Sequence, residues 1–276
     1  MFSEGPLLAG IFGFLRAVLQ GGKVAKTIGS GLLSAPELSV KIGSLVLVIS
    51  AVLILVGVFT HIPIPTVFVV VGGILGAGLG LGKSWNLTEI RTLVIFWFLA
   101  PFVAMLISFG FSRILRSHVE KGRKEKMILG KLLLLMGAFS AYSAGANKIG
   151  LAVGLASGHL GISSFSLLVL GGLSILLGTW LGGPRIVSAV SKEYTELGVR
   201  RAISALASAG ILAQSATLLG IPLSLNEAIV GSIIGSGLAG GVGKVQPMKI
   251  FKTFSEWIFV FFASMGLLFL LTYLFV

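Results

Sequence analysis

The chain has 276 residues, of which 55% are hydrophobic and only 11% charged, and its mean hydropathy is +1.05. A soluble domain of this size carries about a quarter charged residues, whereas apolar runs of about 20 residues cross a ~30 Å hydrocarbon layer. The composition therefore excludes an ordinary soluble domain and predicts an all-α, multi-pass protein of the cell membrane; the short alternating segments of a β-barrel are absent.

Apolar segments fall at 5–20, 42–60, 64–81, 92–112, 130–147, 163–181, 201–220, 222–240 and 255–275. The first lacks a basic leading region and a small-residue cleavage site, so it reads as a span rather than a signal. It carries Arg16, either near its end or turned into the bundle. Segments 64–81 and 222–240 open with proline and are dense in glycine. Short, interrupted segments at matching places in two halves are the best sequence pointer to a transporter's binding site. Between 92–112 and 130–147 lie Arg113, Arg116, Lys121, Arg123, Lys124, Lys126 and Lys131. Such crowding marks a cytoplasmic loop and suits anionic lipid headgroups. The net charge of +12 does not point to nucleic acid, because no interleaved aromatics or recognisable module accompany the cations. Lys148 is the only Asp, Glu, Lys or Arg between residues 132 and 184. The chain has no cysteine, which excludes thiolate metal sites. No metal cluster, nucleophile–base set or phosphate-binding loop supports an enzyme, and no cofactor is expected.

A duplication is legible. Shifting residues 62–82 by 159 positions gives identities that begin at Ile62/Ile221 and Pro63/Pro222 and continue through Gly72/Gly231, Gly76/Gly235 and Gly82/Gly241. Upstream, Gly21-Gly22-Lys23-Val24 echoes Gly182-Gly183-Pro184-Arg185-Ile186. On that anchor nothing in the first half corresponds to residues 131–161. The predicted organisation is a first repeat over 1–112 that lacks this segment, a basic cytoplasmic loop over 113–130, and a second repeat over 131–276.

Gly220-Ile-Pro-Leu-Ser-Leu-Asn-Glu-Ala-Ile-Val-Gly-Ser-Ile-Ile-Gly-Ser-Gly-Leu238 and Gly145-Ala-Asn-Lys148 resemble the inorganic phosphate transporter (PiT) family, which includes phosphate and some sulfate permeases. That family carries a duplicated GANDVANA segment, each copy followed by a proline-led GIPVSTTHA-type segment. His61-Ile-Pro-Ile-Pro-Thr-Val-Phe68 is a degraded second copy of the latter. The resemblance implies inverted repeats, alternating access around a central anion site, and sodium or proton coupling.

Two departures bear on chemistry. The aspartate that the family uses toward sodium is Lys148 here, and the chain contains no aspartate at all. Glu227 stands where the family has histidine. An ammonium repels a cation, so transport without sodium is expected, with Lys148 as a tethered positive charge. Backbone N–H groups at broken-helix termini would supply further anion donors. Asn147, Lys148, Ser224, Asn226 and Thr66 are the expected substrate contacts, and Glu227 with Lys148 the coupling pair. Ser224 and Asn226 equally suit helix capping, and Asn147 equally suits satisfying broken backbone. Three placements are open to Lys148: against the anion, paired with Glu227, or reaching to a membrane interface. The expected cargo is a small divalent oxyanion, phosphate first and sulfate next. A degenerate paralogue acting as scaffold or sensor is the alternative.

Overall fold

A computed structural model describes residues 4–34, 38–60, 64–118, 123–156, 162–193, 198–240 and 247–275. His61, Ile62, Pro63, Lys121 and Gly241 lie outside the described residues, as do the side chains of Arg123, Lys124 and residues 182–186. Within the described residues the regular structure is helical, apart from an isolated bridge between Leu33 and Trp85.

The helices are α1 (Glu4–Lys26, running on as a π turn over Thr27–Gly31), α2 (Val40–Thr60), α3 (Thr66–Gly80), α4 (Leu87–His118) and α5 (Arg123–Ala156). They continue with α6 (Ser164–Glu193), α7 (Val199–Leu218), α8 (Leu225–Ala239) and α9 (Pro247–Phe275). All nine apolar segments are thus helices. Six are long and apolar enough to cross a membrane: α1, α2, α4, α5, α6 and α9. Most of the exposed large apolar side chains, Phe98, Phe259 and Leu135 among them, lie on these helices.

The structure lengthens several segments. The basic stretch expected to be a loop is largely helical, because α4 continues to His118 and α5 begins at Arg123. Lysine and arginine are good helix formers, so backbone hydrogen bonding persists where hydropathy stops. α6 likewise runs past Gly182-Gly183 to Glu193, and α5 runs unbroken through Lys148 to Ala156.

The proline-led pair stays short. At 15 residues each, α3 and α8 rise about 22 Å, less than the ~30 Å of hydrocarbon. Both start from a residue in extended conformation: Pro65 at φ −72°, ψ 115°, and Ser224 at φ −82°, ψ 118°. α2, α3 and α4 begin 159, 159 and 160 residues before α7, α8 and α9. The halves exchange partners, with α3 packing on α9 and α8 on α4. Glycine permits both contacts. A Cβ on Gly72 or Gly76 would run into the carbonyls of Phe261 and Met265, and one on Gly231 or Gly235 into those of Pro101 and Met105. Small residues let membrane helices approach this closely, and buried serines add polar links. Ser264 Oγ donates to Val69 O at 2.7 Å, and Ser108 Oγ to Ser232 O at 2.7 Å.

Candidate anion site at two half-helix mouths

The chain leading into α8 is not helical, yet residues 220–224 are buried. Irregular backbone at membrane depth survives only where protein satisfies its polar groups. Gly220 turns the chain at φ +73°, a left-handed conformation that glycine adopts without steric cost. Ile221 N–H then donates back to Ala216 O at 2.8 Å. The Asn147 side chain covers the next two groups, donating to Ile221 O at 3.0 Å and accepting from Leu223 N–H at 2.9 Å. Trp97 Nε1–H donates to Pro222 O at 2.8 Å. Asn147 is fully buried, and both ends of its amide are used. Of the two roles expected for Asn147, the structure displays the support of broken backbone.

The next residue along α5 serves the other mouth. Lys148 Nζ donates to Thr66 Oγ1 at 3.1 Å, at the first residue of α3. Consecutive α5 residues therefore reach the starts of both short helices. Trp97 links them again, since its ring lies 4.5 Å from that of Phe68 in α3 while its N–H holds Pro222. Trp97 is absent from the sequence-based site, because a lone tryptophan in an apolar span carries no local signal.

The two mouths differ in chemistry. At α3, Phe68 joins a cluster with Trp97, Trp257 and Phe261, so the position occupied by Glu227 in α8 is aromatic here. At α8, Ser224 is the residue preceding the helix, but its hydroxyl makes no capping bond and is buried without a partner. Capping, one of its two expected roles, is not what Ser224 does. Asn226 is half-buried. Glu227 is 1% exposed, and neither carboxylate oxygen has a hydrogen-bond partner.

Lys148 and Glu227 form no ion pair. Among the described residues the acid–base contacts are Arg200–Glu125 at 2.8 Å and Lys252–Glu256 at 3.9 Å, both remote from the mouths in sequence. Of the three placements open to Lys148, the structure does not take the pairing with Glu227. Its ammonium sits at the positive end of a helix with no carboxylate beside it. Charge of that sign at an N-terminus is unfavourable alone and becomes favourable when an anion joins it. Ionisable groups within membrane segments are costly, and they mark substrate and ion pathways.

Comparisons with known proteins bear on this arrangement. The profile of the Phosphate transporter family matches residues 3–129 and 116–268. The sulfate permease CysP of Bacillus subtilis (strain 168) is 30% identical over 275 residues, covering 98% of this chain and 77% of its own length. A putative phosphate permease of Methanocaldococcus jannaschii is 29% identical over 250 residues, covering 88% of this chain and 77% of the relative. A solved structure described as the sodium-dependent phosphate transporter superposes with a TM-score of 0.83 at 19% identity, spanning all of this chain and 91% of the other. The fold is shared at that distance. Two profile matches that together span nearly the whole sequence place the chain in the phosphate transporter family, as a multi-pass membrane protein of a transporter lineage.

Proposed function

We propose that the chain carries a small divalent tetrahedral oxyanion across the membrane by alternating access, without sodium. The observation that carries this reading is the Lys148 ammonium at the mouth of α3, bonded to Thr66 and unaccompanied by any carboxylate. In the family resemblance this is the sodium-binding aspartate's position, and an ammonium there delivers the positive charge that sodium would bring. The solved relative's sodium dependence is that protein's property; the lysine is the reason it does not transfer here. The N–H groups at the start of α3, with Thr66 and Lys148, supply donors that replace the anion's hydration. Ser224 and Asn226 serve the same anion from the α8 side as α3 and α8 move relative to each other, while Asn147 holds the backbone that carries them.

Phosphate is the leading cargo. Its monoprotonated form can donate a hydrogen bond, and the unpartnered Glu227 carboxylate is an acceptor at the mouth of α8. Sulfate is favoured by a different observation, the likeness to a sulfate permease over 98% of this chain. Purified protein in proteoliposomes separates the readings. Labelled phosphate and sulfate uptake are measured in sodium and then in choline. Saturable uptake of either anion that persists in choline supports the proposal, and uptake abolished by choline removes its sodium-independent part. No uptake of either anion leaves a membrane protein that serves as scaffold or sensor.

A further inference from the structure

Arg16, midway along α1, is a cation buried inside the bundle, with 2% of its surface exposed. Its guanidinium rests 4.8 Å from the centroid of the Tyr142 ring on α5, and Nη1 donates to the Tyr142 hydroxyl at 3.3 Å. Nε and Nη2 are buried without a partner, and among the described residues no carboxylate contacts Arg16. These two nitrogens share one edge of the guanidinium. Their N–H groups point the same way, as the fork that takes two oxygens of an oxyanion. A guanidinium keeps its charge in proteins. Left unpaired, that charge destabilises the present packing and favours a state in which an anion meets it.

The surrounding residues are polar and lead to the mouth of α8. Arg16, Gln20, Lys23 and Thr27 follow at spacings of four, three and four, which sets them on one face of α1 and its π turn. Where that face ends, Lys23 Nζ donates to Leu218 O at 3.0 Å, and a Cβ on Gly220 would come within 3.3 Å of Lys23 O and Thr27 Oγ1. The end of α7 thus lies against this face just before the chain turns into α8. Gln20 Oε1 on the face, Gln214 Oε1 and Thr217 Oγ1 near the end of α7, and Ser224 Oγ before α8 are all buried without a partner.

The level of Arg16 in the bundle follows from its neighbours. α1 and α5 run parallel, since Gly13 meets Gly145 and Gly21 meets Gly150. Tyr142 precedes Lys148 by six residues, about 9 Å along α5. The Arg16–Tyr142 contact therefore lies between the Lys148–Thr66 pair and the end at which α5 begins. That end carries the crowded cations that mark the cytoplasmic face.

We infer that Arg16 is an anion-contacting cation on the cytoplasmic side of Lys148, holding the transported oxyanion on its way to or from the mouth of α8. The inference rests on the anion-transport reading above. Movement of α7 away from α1 would open the free edge of the guanidinium to the anion. The competing role is a structural pin that holds α1 on α5 through Tyr142.

Two measurements separate these roles. Arg16→Gln and Arg16→Lys are compared with wild type in inside-out vesicles, where uptake of labelled phosphate and of labelled sulfate reads affinity from the cytoplasmic face. A contact to the anion predicts a KM raised about tenfold in Arg16→Gln, less in Arg16→Lys, with the melting temperature in detergent held. The chain has no cysteine, so Gln20→Cys places a single thiol one turn along the same face. Adding Arg16→Gln should slow its modification by an anionic thiol reagent severalfold without slowing a cationic one. The transported anion should slow modification in the presence of Arg16, and chloride should not. An unchanged cytoplasmic KM in Arg16→Gln overturns the inference, whether or not the melting temperature falls. A thiol that fails to react, or that reacts with the anionic reagent equally fast with and without Arg16, overturns it too. Should Arg16→Gln not fold, protection of the Gln20→Cys thiol by the transported anion decides: protection supports the inference and its absence overturns it. Wild-type protein that moves neither anion fails the transport reading instead, so the two failures are distinct.

Discussion

Lys148 and Thr66, 82 residues apart in the chain, meet with Nζ 3.1 Å from Oγ1. The bond brings an ammonium to the N-terminus of α3, where the helix already presents partial positive charge. Removing the amine should weaken anion binding without weakening the fold. Lys148→Gln is expected to lower anion kcat/KM about ten- to hundredfold, the scale of a lost charged hydrogen bond. Lys148→Arg should retain part of it, and Thr66→Val, which loses a neutral partner, should cost less. Uptake kinetics with melting temperatures check this; a Lys148→Gln protein that transports like wild type would sink the site.

Asn147 should behave in the opposite way. Its amide satisfies both Ile221 O and Leu223 N–H in a buried segment, and each group stranded there costs about 1–3 kcal/mol. Asn147→Ala is expected to lower the melting temperature clearly. Asn147→Asp keeps the acceptor for Leu223 and loses the donor for Ile221, so it should fall between. Thermal unfolding in detergent gives the order directly.

The exchanged helix pairs predict a position-specific intolerance. A Cβ on Gly76 or Gly235 meets backbone carbonyls, those of Met265 and Met105, whereas one on Gly237 meets nothing within 4 Å. Gly76→Ala and Gly235→Ala should each cost at least about 1–3 kcal/mol of overpacking. Gly237→Ala, on the same helix, should be neutral or mildly stabilising, because alanine is the better helix former. Yield of folded protein and melting temperature distinguish the three.

Glu227 has no partner to lose. Glu227→Gln should therefore fold at least as well as the wild type, since it removes a buried ionisable group without orphaning another. If this carboxylate carries the coupling proton, wild-type anion uptake should accelerate under an imposed inward acid gradient. In the glutamine variant that acceleration should vanish while gradient-free uptake persists. Equal gradient responses in the two proteins would remove Glu227 from coupling.

The helical content, the nine segments and the two short proline-led helices were legible in the sequence. Hydropathy and glycine–proline punctuation are local properties, and a helix forms at each segment they mark. Helix ends were less legible: α6 extends 12 residues past its apolar segment and α5 nine, because backbone hydrogen bonding does not stop at the edge of the hydrocarbon. The sequence also singled out Lys148 by its isolation and Glu227 by its place in a motif.

Which groups those residues meet was decided by packing alone. Asn147 finds Leu223 across 76 residues, and Trp97 finds Pro222 across 125. Phe68 lies in an aromatic cluster with residues of α4 and α9 rather than beside a charge. A chain reports its own local preferences. The electrostatic character of the site, an amine at a helix mouth without a counter-charge, arises from helices far apart in sequence and close in space.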